Sequence, residues 1–325
     1  MAPSRADAGH NHAINDTGKR VHSMSELKPL LTMNERHRKP QVGIFLSGSG
    51  TNAERVLDCL AHLDDPPVAV TALVTDAPET SRAHELGQRF GIPVVASDIR
   101  RFYEQHGERR VSIATPRGQE VRQLWTDGLR RLIEPCEFDF AVFAGFVPLT
   151  NLTEDFPCLN VHPGDLTYTE NGRRLLVGLH TIPIERAILA GLGYLRSSVI
   201  IAQAYTGKGG EMDSGPVLGV SGQVPIDLRG HAPEELRDAF AQRPAQRPKG
   251  GYADALELVA KANQEALKIH GDWVVLPRVV MDYAAGRYAL DQDGLLHYRD
   301  GDGDRWLPVE TVVYQEDGAR QPRVR

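Results

Sequence analysis

Long apolar stretches are missing from this sequence, which has no run of about 18 apolar residues such as a membrane-spanning helix requires. The apolar core of a secretory signal is likewise missing near residue 1. These two absences favour a cytoplasmic protein that has no membrane partner. They leave open what the protein binds.

The sequence also has few cysteines, and fewer basic than acidic residues. Three cysteines occur among 325 residues, at Cys59, Cys136 and Cys158, and their wide spacing fits neither a disulfide framework nor a zinc site. Asp and Glu outnumber Lys and Arg by 43 to 37, and the resulting net charge of -6 argues against a nucleic-acid-binding surface. We therefore expect neither a bound metal nor a nucleic-acid partner.

Buried strands and amphipathic helices alternate through the first half of the chain. The apolar patterns predict strands over 42–46, 68–75, 92–95, 138–144 and 159–161, with helices over 53–60, 81–90 and 119–133 and an irregular segment over 100–118. This order predicts an α/β fold with a doubly wound, mostly parallel, Rossmann-like sheet. Further along, 198–204 and 217–224 are predicted as antiparallel additions to the sheet.

The composition also suggests domain boundaries. Residues 1–40 are polar and are expected to form a mobile N-terminal extension. Residues 41–308 are expected to form one catalytic domain, and 309–325 a C-terminal tail.

Three polar residues in two segments of the sequence are candidate catalytic residues. Asn160 and His162 are two apart at the end of an apolar run, so on a strand they face the same way, and Pro163 ends that strand. Asp213 lies in a Gly/Pro-rich loop that can bring a carboxylate to the same spot. An amide, an imidazole and a carboxylate together can stabilise an oxyanion and move a proton. The alternative is that His162 only satisfies backbone groups beside a turn.

A glycine-rich turn follows the first buried strand and allows two functional interpretations. Gly48-x-Gly50-x-x-Ala53, with Asp76 ending the next strand, satisfies the dinucleotide-binding pattern of an NAD(P)-dependent oxidoreductase. Equally, the loop and the helix after it form a site for a single phosphate. The local pattern does not separate these two interpretations, and a turn without a ligand is the third.

Six ordered segments resemble the glycinamide ribonucleotide formyltransferases, the folate-dependent formyltransferases of purine synthesis. They are IFLSGSGTN at 44–52, FAGF at 143–146, LNVHP at 159–163, GLHT at 178–181, SSV at 197–199 and MDSGPV at 212–217. The resemblance extends from about residue 41 to residue 308. It implies that the protein transfers a formyl group from 10-formyltetrahydrofolate to a primary amine of a small, phosphorylated acceptor.

The resemblance also assigns roles to residues. Asn160, His162 and Asp213 would be catalytic, with Asp213 favouring the charged imidazolium of His162. The folate would contact Gly145, Phe146, Val147 and Met212. The acceptor would contact the glycine loop and one glutamate, through Ser47, Gly48, Ser49, Gly50, Thr51, Asn52 and Glu265. The expected partners are these two small molecules, and the expected assembly is a monomer or a homodimer.

The sequence departs from the family pattern in several segments. Extra residues occur near 164–177, 200–212 and 229–251, and Val147 to Thr150 stand where the family has a basic residue near the folate. Since the first two insertions border the expected crevice, the acceptor is either glycinamide ribonucleotide or an analogue. The NAD(P)-binding oxidoreductase stays as the alternative function.

Overall fold

A computed structural model of the protein describes residues 27–32, 39–205, 212–248, 250–301, 303 and 305–324. The first part of the chain alternates strands and helices as predicted. Its elements are β1 Lys28–Pro29, β2 Gln41–Phe45, α1 Thr51–Ala61, β3 Ala69–Thr75, α2 Ala83–Phe90, β4 Val94–Ala96, α3 Ile99–Gln105, α4 Pro116–Ile133, β5 Phe140–Phe143 and β6 Cys158–His162.

The second part adds a small hairpin, four helices and the remaining strands. These elements are β7 Thr169–Glu170, β8 Arg173–Arg174, α5 Ile182–Leu189, β9 Tyr194–Leu195, β10 Ser198–Ile201, β11 Val217–Ser221, β12 Val224–Pro225, α6 Pro233–Ala241, α7 Ala255–Leu267, α8 Trp273–Ala284, β13 Tyr288–Leu290, β14 Leu296–Arg299, β15 Trp306–Tyr314 and β16 Arg320–Val324. A π-helical segment, Lys268–Asp272, joins α7 to α8.

Twelve of the described strands form one mixed sheet in the order β1-β13-β14-β15-β11-β10-β6-β5-β2-β3-β4, with β16 paired to β15. The run β6-β5-β2-β3-β4 is parallel. β10 pairs antiparallel with β6, and β11 pairs antiparallel with β10. The predicted doubly wound sheet with antiparallel additions is therefore confirmed.

Alternating side chains of β2 enter different cores. Val42 and Ile44 pack into the cluster that includes α1 and α8, whereas Phe45 packs into the cluster with Trp125 of α4. This alternation follows from the two-residue period of a strand, and burial on both faces explains why parallel strands are apolar throughout. A separate apolar cluster joins α5, α6 and α7.

The expected domain boundary at residue 308 falls inside β15, so 309–325 is not a tail. β15 pairs parallel with β11 and antiparallel with β14 and β16. Val312 and Tyr314 are fully buried in the main core. The pairing with β11 joins strands far apart in the chain, and no local pattern predicts it.

Part of the segment that we expected to be a mobile extension pairs with the sheet. Within it, Lys28–Pro29 pairs with β13, and the Leu30 carbonyl accepts a hydrogen bond of 2.6 Å from the Tyr283 hydroxyl. Residues 1–26 and 33–38 of the extension lie outside the described residues.

The segment expected to be irregular, 100–118, contains helix α3 and the start of α4. Asp98 caps α3 by accepting from two backbone amides, and Ile99 and Tyr103 bury one side of it. Thr115 caps α4 and Pro116 is its first helical residue. Proline is tolerated at that position because the amide there has no helical partner, so Pro116 starts the helix before its expected start at residue 119.

The π-helical segment precedes a proline inside α8. Pro277 has no amide hydrogen to donate to the Trp273 carbonyl one turn earlier. Arg55 of α1 instead directs its Nε to that carbonyl at 3.5 Å. The interrupted helix matters because its junction borders the cavity described next.

Candidate active site

The carboxyl ends of β2, β5 and β6 lie side by side, where open α/β sheets place their ligands. The glycine loop follows β2, Gly145 and Phe146 follow β5, and β6 ends with Asn160 and His162. Asn160 is opposite Phe143 of β5 and Ile200 of β10. The sheet therefore gathers the predicted segments at one edge.

A cavity of about 690 Å³ opens at this edge, a size typical of small-molecule sites. Nearly all of the residues predicted from the sequence line it. They are Ser47, Gly48, Ser49, Gly50, Thr51, Asn52, Gly145, Phe146, Val147, Asn160, His162, Met212 and Asp213. Glu265 does not line it.

The glycine loop ends in an exposed helix N-terminus. Gly50 caps α1 with a left-handed backbone (φ 63°), and a Cβ there would lie 2.9 Å from Leu46 Cδ1. Glycine is therefore required for the turn. The first amides of α1 have no intrahelical partner, so this end can hold an anion.

Ser47, which follows β2, forms hydrogen bonds with residues that follow the neighbouring strands β3 and β5. Its hydroxyl donates to Asp76 Oδ1 at 2.5 Å and accepts from the Val147 amide at 2.9 Å. Asp76 is 6% exposed and is not among the residues lining the cavity. Burial raises the pKa of the Asp76 carboxyl, which the hydrogen bond from Ser47 opposes. A ribose-binding acid in a dinucleotide site must reach its ligand, and here the carboxylate is enclosed instead.

His162 has a fixed orientation. It is 3% exposed, and its Nε2 lies 2.7 Å from the Leu176 carbonyl oxygen. A carbonyl only accepts, so Nε2 carries a proton and donates a hydrogen bond to Leu176. Nδ1 lies 3.7 Å from Asp213 Oδ2, an ion-pair distance. The alternative is that His162 only satisfies a backbone group. It accounts for the contact of Nε2 with Leu176 but not for the position of Nδ1 beside Asp213.

Asn160 and Asp213 complete a group that we call the polar trio, Asn160, His162 and Asp213. Asn160 is half-buried, and its side-chain amide makes no hydrogen bond to another described residue. Asp213 lies in a helical turn, Met212–Ser214, with its side chain 18% exposed. The arrangement presents an amide donor, an imidazole nitrogen and a carboxylate to the same cavity.

An apolar wall lies on the other side of the cavity. Phe146 stacks on Trp125 with ring centroids 6.4 Å apart and contacts Phe45 and Phe143 edge-on or tilted. Val147 is 58% exposed. Such a wall suits a planar ring system more than a phosphate.

The helix junction supplies residues that the sequence patterns missed. Asp272, at the end of the π-helical segment, lines the cavity and accepts hydrogen bonds from Asn52 Nδ2 at 3.0 Å and Ser197 Oγ at 2.5 Å. Desolvation raises the pKa of the Asp272 carboxyl, opposed by these bonds and by the nearby His162. π-Helical segments often occur at functional sites. In the sequence, the residues that could have indicated an interrupted helix here are Gly271 and Pro277, both within a helical pattern.

Glu265, which the family resemblance placed against the acceptor, is exposed and instead pairs with Lys268 at 2.6 Å. The preceding residue, Gln264, lines the cavity with Leu267 and Lys268. Since a one-residue step on a helix rotates a side chain by about 100°, neighbours on one helix face different directions. The expected position of Glu265 is therefore corrected.

Candidate metal sites and membrane spans are both lacking in the described ranges. These contain no group of three or more His, Cys, Asp or Glu side chains that could hold a metal ion. In the same ranges, no helix is both long enough and apolar enough to cross a membrane.

The described chain thus has a Rossmann-like α/β fold with antiparallel additions and a ligand cavity at the carboxyl edge of its sheet. No protein-family model and no curated protein sequence matches it. Its fold is that of solved folate-dependent formyltransferases, as the sequence resemblance predicted.

Two solved formyltransferases and one solved deformylase share this fold. A phosphoribosylglycinamide formyltransferase from Coxiella burnetii has TM-score 0.52 and 18% identity, over 85% of this chain and 100% of that one. A glycinamide ribonucleotide transformylase from Symbiobacterium toebii has TM-score 0.50 and 19% identity, over 78% and 92%. A formyltetrahydrofolate deformylase from Pseudomonas syringae has TM-score 0.53 and 13% identity, over 81% and 67%. At such identities the likeness establishes the fold.

Proposed function

We propose that the protein transfers a formyl group from 10-formyltetrahydrofolate to a primary amine of a small, phosphorylated acceptor, either glycinamide ribonucleotide or an analogue. The observation that carries this proposal is the polar trio in one cavity beside the N-terminus of α1. The fold shared with solved formyltransferases adds support.

The proposed chemistry is acyl transfer. The acceptor amine attacks the formyl carbon, and the negative charge that develops on the formyl oxygen is met by the Asn160 amide and by His162 Nδ1–H. One such donor is typically worth about 3 to 4 kcal/mol in the transition state. The bond from the formyl carbon to the folate nitrogen then breaks. The amine loses a proton and the folate nitrogen gains one, with Asp213 assisting the proton transfer.

The hydrogen bond from His162 Nε2 to Leu176 supports this role. It prevents ring rotation, so Nδ1 keeps facing both the cavity and Asp213. With a proton on Nδ1, this nitrogen can donate a hydrogen bond to the formyl oxygen.

The acceptor's phosphate would bind at the N-terminus of α1, where Ser49 and Thr51 add hydroxyl donors. Asp272 replaces Glu265 as the proposed carboxylate contact for polar hydrogens of the acceptor. Each of its oxygens already accepts one hydrogen bond, and each can accept another. The folate ring would lie against Gly145, Phe146, Val147 and Met212, on the apolar side.

A transfer assay tests the proposal. The protein is incubated with 10-formyltetrahydrofolate and a panel of phosphorylated primary amines that includes glycinamide ribonucleotide, and formyl-amine and tetrahydrofolate are quantified. We expect both products in equal amounts, with turnover at least about a hundredfold lower in His162→Ala and Asp213→Asn.

Two results would contradict the proposal. Tight NADH binding without folate binding would favour the oxidoreductase, against which the burial of Asp76 already argues. Release of formate without any formyl-amine would indicate that water is the acceptor.

A further inference from the structure

In the segment between β6 and α5, three successive backbone carbonyls accept hydrogen bonds from side chains elsewhere in the protein. Arg186 of α5 donates to the Leu175 carbonyl at 3.1 Å and to the Val177 carbonyl at 2.7 Å. The Leu176 carbonyl between them accepts from His162 Nε2 at 2.7 Å. This segment, which carries the β7–β8 hairpin, is therefore fixed to the body of the protein at the point where it orients His162.

The same segment also reaches the loop that carries Asp213. Arg174 of β8 donates from Nη1 to the Asp213 carbonyl and from Nη2 to the Gly215 carbonyl, the second at 2.8 Å. The planar guanidinium can bind two carbonyl oxygens at once, which the ammonium of lysine does not do with the same geometry. Burial lowers the pKa of Arg174, and the charge of Asp213 opposes that shift.

The opposite side of this loop is bound to the last residue of β10 and to the chain just after it. The Ile201 amide donates to the Pro216 carbonyl at 3.3 Å, and the Gln203 amide donates to the Met212 carbonyl at 3.2 Å. A Cβ on Gly215 would lie 1.9 Å from the Ile201 carbonyl oxygen, so the backbones are in close approach. These two bonds lie at or slightly beyond the usual upper limit of about 3.2 Å for an amide donor. Arg174 adds two further hydrogen bonds to the loop.

We infer that Arg174 is a positioning residue for Asp213. By holding the carbonyls on both sides of Ser214, it fixes the backbone from which the Asp213 side chain projects toward His162. The carboxylate lies 3.7 Å from Nδ1, outside hydrogen-bond range, so its effect on the ring changes with small displacements of the loop. Arg174 itself contacts backbone oxygens, and it is not among the residues lining the cavity.

The kinetic part of this inference rests on the proposed function. We expect Arg174→Ala and Arg174→Lys to lower kcat by about 10- to 100-fold, since a displacement of about 1 Å in an active site can cost about a hundredfold. The KM for the folate should change by less than about threefold. Arg173→Ala is the matched control, because Arg173 is the exposed neighbour in the same hairpin, and it should leave kcat unchanged.

A double-mutant cycle separates positioning from a general structural effect. If Arg174 acts through Asp213, adding Arg174→Ala to Asp213→Asn should lower turnover by less than about threefold more. Two fully multiplicative effects, or normal turnover in both Arg174 variants, would overturn the inference.

Hydrogen exchange tests the inference without relying on enzymatic activity. The amides of residues 212–215 and 217 should exchange faster in Arg174→Ala and Arg174→Lys than in wild type, and at the wild-type rate in Arg173→Ala. Unchanged exchange in both Arg174 variants would refute the positioning role even if the enzyme is active. A wild-type protein with no formyl transfer but with this exchange pattern would instead refute the proposed function alone.

Discussion

Replacing Asn160 by alanine should separate turnover from stability more cleanly than any other change in the polar trio. The Asn160 amide makes no hydrogen bond to another described residue, so its removal leaves no known partner unsatisfied. The side chain is half-buried at the end of β6, where alanine fits without overpacking.

The expected magnitudes follow from these contacts. Losing one oxyanion donor should lower kcat by about 100- to 1000-fold, or about 2.7 to 4 kcal/mol. The free energy of unfolding should change by no more than about 1 kcal/mol, since no buried partner is orphaned. The donor acts only when charge develops, so kcat and kcat/KM should fall by similar factors.

The assay is steady-state formyl transfer at varied folate and acceptor concentrations, together with urea unfolding of both proteins. The Asn160→Ala protein should keep folate binding close to that of wild type. Turnover within about threefold of wild type would refute the assignment of Asn160 to the oxyanion. A large loss of stability would show that the amide has a structural partner.

Three further changes have contrasting expected results. His162→Ala should lower turnover at least about a hundredfold and also cost about 1 to 3 kcal/mol of stability, because the Leu176 carbonyl loses its donor; urea unfolding that matches wild type would contradict the second part. Gly50→Ala should destabilise the protein by about 1 to 3 kcal/mol and raise the KM for a phosphorylated acceptor, whereas an unchanged KM would argue against phosphate at this loop. Asp76→Asn tests pH dependence. Burial raises the pKa of Asp76 above its ordinary 3.8, so ionisation costs stability as pH rises above about 4, and the variant should gain Tm relative to wild type as pH rises from there. A Tm difference that is constant with pH would contradict this assignment.

The sequence predicted the parts of the site that local patterns encode. Buried parallel strands are apolar runs, glycine loops precede helices, and Asn160 and His162 share a strand face because side chains alternate. Parallel strands bring their carboxyl ends to one edge, so the convergence of these segments followed from the predicted fold.

The remaining parts depend on contacts that leave little trace in the sequence. The Leu176 carbonyl is a backbone group, and any residue type would supply it. Asp272 reaches the cavity from the π-helical segment between α7 and α8, whereas Glu265, which the family resemblance placed there, does not line the cavity. β15 also pairs with β11, a strand distant from it in sequence. The role inferred for Arg174 depends on its two carbonyl partners, which are backbone groups that the sequence pattern does not identify.

The most direct test of the proposed chemistry follows the formyl carbon itself. Wild-type protein, 10-[¹³C-formyl]tetrahydrofolate and a phosphorylated primary amine are combined, and the labelled carbon is detected by NMR. We predict that the label moves to the amine, at a rate at least about a hundredfold lower in Asp213→Asn. A label that stays on the folate, or that moves equally fast in both proteins, would contradict the role proposed for the polar trio.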